Sequence, residues 1–299
     1  MKKIQLGLLF VIVCLVGVIW LTPQKYKVSD SKTNSIVQTT QPETIAKLVV
    51  SPTPTATPSA TPSPTPKPLT FKELNALYGP CVTLPVLMYH HIQPSSEATA
   101  KKQTNLTVFD DVFDKQISTL KEKGYNFITP LDLISFFDNK TPLPSKSILI
   151  TIDDGYADNF NYAFATLKKY NAKATIFLAT GLMENTDYLT WSQIKEMKDS
   201  GLVYFGNHTW SHKNVATKED TIRYEIGTAN TQLEERGLDN MKVFAYPYGT
   251  TSKRDEKILA EMGFKLAFTT VSGRTQCAQK RYALQRTRVG NSFISNYGL

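Results

Sequence analysis

The chain has 299 residues, 41% of them hydrophobic, with 34 Lys+Arg against 26 Asp+Glu and a formal net charge of +8. That apolar fraction supports a sizeable core and excludes a wholly disordered chain. The basic residues are scattered with no run of five or more, which argues against nucleic acid and for a basic protein beside an anionic membrane or cell wall. Three cysteines form no Cys-x-x-Cys pair, which argues against a thiolate metal site.

Ile4 to Leu21 is uncharged and almost wholly apolar, preceded by Lys2 and Lys3 and closed by Trp20. As a helix it would span about 27 Å, near the hydrocarbon thickness of a bilayer, and it exceeds the usual core of a signal peptide. No small-x-small cleavage pattern follows. Residues 1–21 are therefore expected to be a cytoplasmic stub and single-pass anchor, with the body exported to the extracellular side; the alternative is secretion after signal cleavage. Residues 22–70 read as a disordered linker, and the tract SPTPTATPSATPSPTPKP from Ser51 to Pro68 favours a semi-stiff polyproline II stalk.

Residues 71–299 are expected to form one folded domain. From about residue 82, short β-branched runs alternate with amphipathic stretches, the signature of an α/β chain. Expected strands are Pro85 to His90, Tyr125 to Thr129, Ser147 to Asp153, Ala174 to Ala179, Val203 to Asn207, Val243 to Tyr246, Phe264 to Thr270 and Tyr282 to Val289. Phe113, Ile117 and Leu120 share a helical face, Thr190 and Ser252 are placed to cap helices, and Gly263 to stop one. The expected architecture is an irregular (β/α) barrel, with chemistry at the C-terminal ends of its strands. Cys81 and Cys277 fall near the two ends of this domain; a disulfide and two free buried thiols both fit.

The four histidines fall in two places. His90-His91 end the first strand, and His208 and His212 lie four apart, a spacing that on a helical turn lets both share a metal ion. The apolar run Ile148 to Ile152 ends in Asp153-Asp154-Gly155. Alternation along a strand lets the two carboxylates diverge, one taking a metal and the other free to act as a base. A solvated Asp-Asp-Gly turn is the bland alternative. Phe244 to Gly249 reads as a strand entering a Pro-aromatic-Gly turn.

In combination these segments resemble the polysaccharide deacetylases of carbohydrate esterase family 4, with their NodB-homology domain, over about residues 82–290. Thr151-Ile152-Asp153-Asp154-Gly155 is similar to the family's first motif, His208-Thr209-Trp210-Ser211-His212 to its second, and Tyr246-Pro247-Tyr248-Gly249 to most of its third. The resemblance implies a barrel of NodB type and a metal-dependent hydrolase acting on N-acetylglucosamine polymers. It implies one divalent ion, zinc first with Ni, Co or Fe as alternatives, held by Asp154, His208 and His212. Asp153 would be the catalytic base and the Tyr248 backbone N–H an oxyanion donor. Tyr246, Pro247 and Trp210, carried in the same motifs, are the expected substrate contacts.

Two departures from the family pattern stand out. Ala245 occupies the position of the usual base-orienting arginine, so Arg286 or Arg288 is the expected replacement, Arg286 being preferred. No histidine follows His212, so the usual late general acid is missing. The segment Leu84 to His90 resembles a subgroup acting on poly-β-1,6-N-acetylglucosamine, whose Tyr-His pairing selects His90 as the acid and leaves His91 behind the strand. The alternatives are a peptidoglycan or chitooligosaccharide deacetylase, or a non-catalytic wall-glycan-binding module. An Fe(II) oxygenase and a two-carboxylate glycosidase fit the spacing poorly.

Overall fold

The computed structural model describes residues 67–238 and 241–299. The expected anchor, and the linker up to residue 66, lie outside the described residues. Among the described residues no helix is long and apolar enough to cross a membrane.

The strands, in chain order, are β1 (Cys81–Thr83), β2 (Val86–Tyr89), β3 (His91–Gln93), β4 (Thr107–Phe109), β5 (Asn126–Phe127), β6 (Ser147–Asp154), β7 (Ala174–Leu178), β8 (Val203–Asn207), β9 (Val243–Ala245), β10 (Leu266–Phe268), β11 (Thr275–Cys277) and β12 (Thr287–Arg288). A parallel sheet runs in the order β10-β9-β8-β7-β6-β2-β12, with β5 also paired to β6. The sheet curls, because a single late segment meets both its edges: Leu284 bridges Phe268, and Thr287 and Arg288 pair with Leu87 and Met88. The result is an α/β domain built on a curled, half-barrel-like sheet. Its staves are less even than the expected barrel of eight strands. The run Tyr282 to Val289 contributes only two ladder residues, in part because the Arg286 N–H bonds the Val271 carbonyl instead of a neighbouring strand.

Strand alternation sorts the core into two layers. Ile148, Ile150 and Ile152 of β6 pack outward with Leu87, Tyr89 and Ile176 against the helices, where Phe113, Ile117 and Leu120 of the helix Asp110–Glu122 are fully buried. Burying each such side chain contributes about 1.5–3 kcal/mol. Leu149 turns inward with Val86, Phe177, Ala245 and Phe268, filling the hollow of the sheet. Thr190 accepts from the Gln193 N–H at 3.2 Å and Ser252 from the Asp255 N–H at 3.3 Å, so the helices Trp191–Asp199 and Lys253–Glu261 start at their expected caps. Cys81 and Cys277 face each other across the antiparallel pair β1–β11 and are disulfide-bonded, which decides between the two cysteine readings.

Candidate active site

β6 delivers two carboxylates to the mouth of the curled sheet. Asp153 keeps the inward parity of Leu149 and Thr151, whereas Asp154 leaves the strand in a left-handed conformation, φ 77°. A non-glycine residue there stores strain on the order of 1–3 kcal/mol. Gly155 follows at φ 78°, and a Cβ on it would lie 2.7 Å from Leu178 Cδ2. The chain thus turns sharply at the end of β6, and the two acids part company.

Asp153 is 2% exposed and is gripped by Arg286, whose Nη1 and Nη2 each donate to one carboxylate oxygen at 2.7 Å. Arg286 is itself fully buried; Nε donates to the Thr269 carbonyl at 2.8 Å and Nη1 also reaches Thr151 Oγ1 at 3.3 Å. Burial pushes the Asp153 carboxyl up, but the Arg286 and His208 charges outweigh it and hold the group below its usual value. The guanidinium therefore reaches Asp153 from the late segment, while Ala245 lies in the inner core. Arg288, two residues on, is exposed and donates instead to the Asn105 carbonyl at 3.0 Å. It makes no contact with Asp153.

His208 and His212 come from the loop after β8. The spacing suggested a helical turn, but the segment is an irregular loop with Thr209 at φ 67° and His212 at φ 58°. Side chains shape it where helical hydrogen bonds do not. Asn207 Oδ1 accepts the Thr209 N–H at 2.8 Å, and the buried Glu225 carboxylate accepts both the N–H and the hydroxyl of Ser211 at 2.8 Å. His208 Nδ1 lies 2.7 Å from the Ala245 carbonyl and donates to it, which aims Nε2 at the mouth.

Asp154 Oδ1 lies 3.3 Å from His208 Nε2 and 3.1 Å from His212 Nε2, and one ligand atom of each of the three residues lies within 4.8 Å of the others. That oxygen is buried and makes no well-aligned hydrogen bond, despite both short contacts. With the His208 tautomer set by Ala245, two imidazole nitrogens and a carboxylate oxygen converge, an arrangement that suits a divalent cation. Burial lowers the pKa of His208, yet the neighbouring Asp154 and Asp153 carboxylates raise it overall; a bound cation would displace that proton. The donor set fits a metal ion of the expected kind.

His90 and His91 diverge as alternation requires. His90 is half-buried and lies within electrostatic reach of Asp153, Asp154 and His208; burial lowers its pKa more than the two carboxylates raise it. His91 points behind the strand, with Nδ1 2.5 Å from Asp158 Oδ2 and its ring stacked on Tyr156 at 3.6 Å between centroids. Asp158 also accepts the Ile92 N–H at 3.1 Å, and Asn159 Nδ2 donates to the His90 carbonyl at 2.9 Å. These two residues, with Glu225, hold the site's backbone in place. No sequence signal marked them, since a polar residue in helical text ordinarily reads as solvated.

The third motif is divided. Tyr248 is 65% exposed, with a left-handed backbone at φ 62° and its ring 4.8 Å from that of His212. Tyr246 is 1% exposed and packed against Phe244, with its hydroxyl donated to the Tyr282 carbonyl at 2.9 Å. Pro247 is buried as well. The expected substrate contacts Tyr246 and Pro247 thus lie beneath the turn, where the apolar strand exit is absorbed into the core. Trp210 is half-buried, 6.0 Å from the Tyr224 ring and packed over Gly181.

Comparison with known proteins places the chain among polysaccharide deacetylases. The family model described as polysaccharide deacetylase matches residues 140–267. YxkH of Bacillus subtilis (strain 168), described as a polysaccharide deacetylase, is 30% identical over 207 residues, covering 69% of this chain and 71% of its own. The poly-β-1,6-N-acetyl-D-glucosamine N-deacetylase of Staphylococcus aureus (strain MRSA252) is 26% identical over 223 residues, covering 67% of this chain and 74% of its own. Among solved structures, the Streptococcus pyogenes deacetylase PplD in complex with acetate is 34% identical with a TM-score of 0.64, covering 70% of this chain and 92% of its own.

Proposed function

The chain belongs to the polysaccharide deacetylase family, hydrolases of carbon–nitrogen bonds, and from that premise we propose that it removes N-acetyl groups from an extracellular N-acetylglucosamine polymer, with poly-β-1,6-N-acetylglucosamine as the preferred substrate. The observation that carries the chemistry is the convergence of Asp154, His208 and His212 beside an Asp153 gripped by Arg286. The substrate rests on the Staphylococcus aureus relative and on the Leu84 to His90 segment.

When bound by Asp154, His208 and His212, a divalent cation, zinc first, supplies Lewis acidity that polarises the acetamide carbonyl and acidifies a water. Asp153 takes the proton from the attacking water; Arg286 keeps it ionised and fixes the direction of its lone pairs. The Tyr248 N–H donates to the developing oxyanion, a contribution of about 2.7–4 kcal/mol for one such donor. His90 delivers a proton to the departing amine. Burial favours the neutral form of His90, so the proton it passes to the amine is the one Asp153 has taken from the water, handed on as negative charge builds in the site. Trp210 forms part of the surface that meets the sugar.

On the sequence alone, we extend the reading to location: Ile4 to Leu21 anchors the protein in the cell membrane and the Pro-rich tract holds the catalytic domain outside. Full-length protein recovered free in the culture medium would sink the anchor. The activity is tested by acetate release from β-1,6-linked N-acetylglucosamine oligomers, peptidoglycan and chitooligosaccharides, with and without added metal. Release from the β-1,6 oligomers above the other two supports the substrate; release from peptidoglycan or chitooligosaccharides alone removes it, and none from any metal-loaded mixture removes the activity.

A further inference from the structure

Among the described residues Arg288 pairs with no carboxylate, and it stands on the wall of a second cavity. This cavity, about 310 Å³, is lined by His90, Thr104, Asn105, Thr107, Arg288 and Asn291, among others. It opens where β2 and β12 end, beside the mouth of the curled sheet. Its rim is fixed. Asn291 Nδ2 donates to the Thr107 carbonyl at 3.0 Å, its Oδ1 accepts the Phe109 N–H at 2.7 Å, and Arg288 Nη2 donates to the Asn105 carbonyl at 3.0 Å. Arg288 is the one permanently charged group in the lining, which contains no Asp or Glu.

Reaction geometry says what would fill it. His90 protonates the leaving nitrogen, and that nitrogen stays attached to the sugar; the polymer must therefore lie on the His90 side of the site, not on the side that receives acetate. His90 is shared between the reacting centre and this cavity. Its volume suits a single pyranose ring, and the amide and hydroxyl groups on its walls suit sugar hydroxyls.

We propose, resting on the deacetylase reading above, that this cavity is the subsite for the sugar flanking the one being deacetylated, and that Arg288 makes the subsite discriminate by charge. A flanking N-acetylglucosamine is neutral; once deacetylated, it is a glucosamine carrying an ammonium. At a separation on the order of 6 Å in a water-like medium, two like charges disfavour occupancy by about threefold, and by more where water is excluded. The enzyme then avoids sugars next to those it has already processed and leaves a dispersed pattern of free amines along the polymer. Because the discrimination is electrostatic, it weakens with salt.

The test uses the full-length protein and two β-1,6 pentamers, one fully acetylated and one with a single glucosamine beside the central N-acetylglucosamine. Binding of each is measured by calorimetry for wild type, Arg288→Gln and Arg288→Glu, and acetate release is measured in parallel. Wild type should favour the acetylated pentamer by about threefold or more; Arg288→Gln should abolish the preference and Arg288→Glu reverse it, with thermal unfolding unchanged in each. Equal preference in all three proteins, or no binding of either pentamer, overturns the subsite. Absence of acetate release overturns the deacetylase reading instead, and the binding ratio is read independently of it.

Discussion

The mouth of the sheet and the ground just behind the β2–β3 junction each bury a carboxylate with a short contact to a basic side chain, and they use it differently. Behind the strand, Asp158 is fully engaged: it accepts from His91 and from Ile92 N–H, and Asn159 donates to it at 2.8 Å. At the mouth, Asp153 is gripped by Arg286 while Asp154 Oδ1 is left buried without a well-aligned partner. A buried carboxylate that is wholly satisfied specifies structure; one on which two imidazole nitrogens converge without a well-aligned hydrogen bond is suited to bind a cation. The neighbours His90 and His91 thus belong to different kinds of site.

The largest expected effects come from the converging donors. Asp154→Ala, His208→Ala or His212→Ala should each lose bound metal and acetate release together, and chelation should do the same to wild type; metal content and turnover measured on one sample check this. Asp153→Asn should keep the metal yet lose about 10² to 10⁴ in rate. A near-normal rate in the metal-loaded variant removes Asp153 from the mechanism.

Arg286→Met tests the grip itself. It leaves a buried carboxylate uncompensated, an expected cost of about 3–5 kcal/mol in thermal or denaturant unfolding. The sign with pH also follows. A carboxyl held below its ordinary value of 3.8 stabilises the fold above that value, and the contribution is lost as pH falls through the depressed one. In Arg286→Met the Asp153 carboxyl rises, so the acid limb of the activity profile should move to higher pH; an unmoved limb breaks the assignment.

The smallest effect should come from behind the strand. His91→Gln should cost roughly 1–3 kcal/mol of stability by leaving Asp158 short of a partner, with turnover per folded, metal-loaded enzyme little changed, whereas His90→Ala should lose turnover and keep its metal. The reverse outcome exchanges the two histidines' roles.

Much of this was legible in the sequence where a strand is long and apolar. β6, β7 and β8 lie where their β-branched runs put them, within a residue of the expected limits, and they carry Asp153, Asp154 and the His208 loop. Alternation alone separated His90 from His91, since a period of two cannot put neighbours on one face. What was not legible is set by contacts distant in sequence. The pairing of β3 with β4 joins two runs of three residues that no window distinguishes from loop. Tyr246 reads as a motif residue but is drawn into the core by Phe244 and Phe264. Asp158, Asn159 and Glu225 lie in helical text, and only the fold shows that their side chains turn to the β2–β3 junction and to the His208 loop.

The most direct measurement is acetate release by metal-stripped protein as zinc is returned in known amounts. Release should be absent at the start and rise linearly to a plateau at one equivalent, with Asp154→Ala giving none at any ratio. Full activity in the stripped wild-type protein, or equal restoration of Asp154→Ala, would contradict a metal centre at the mouth of the sheet.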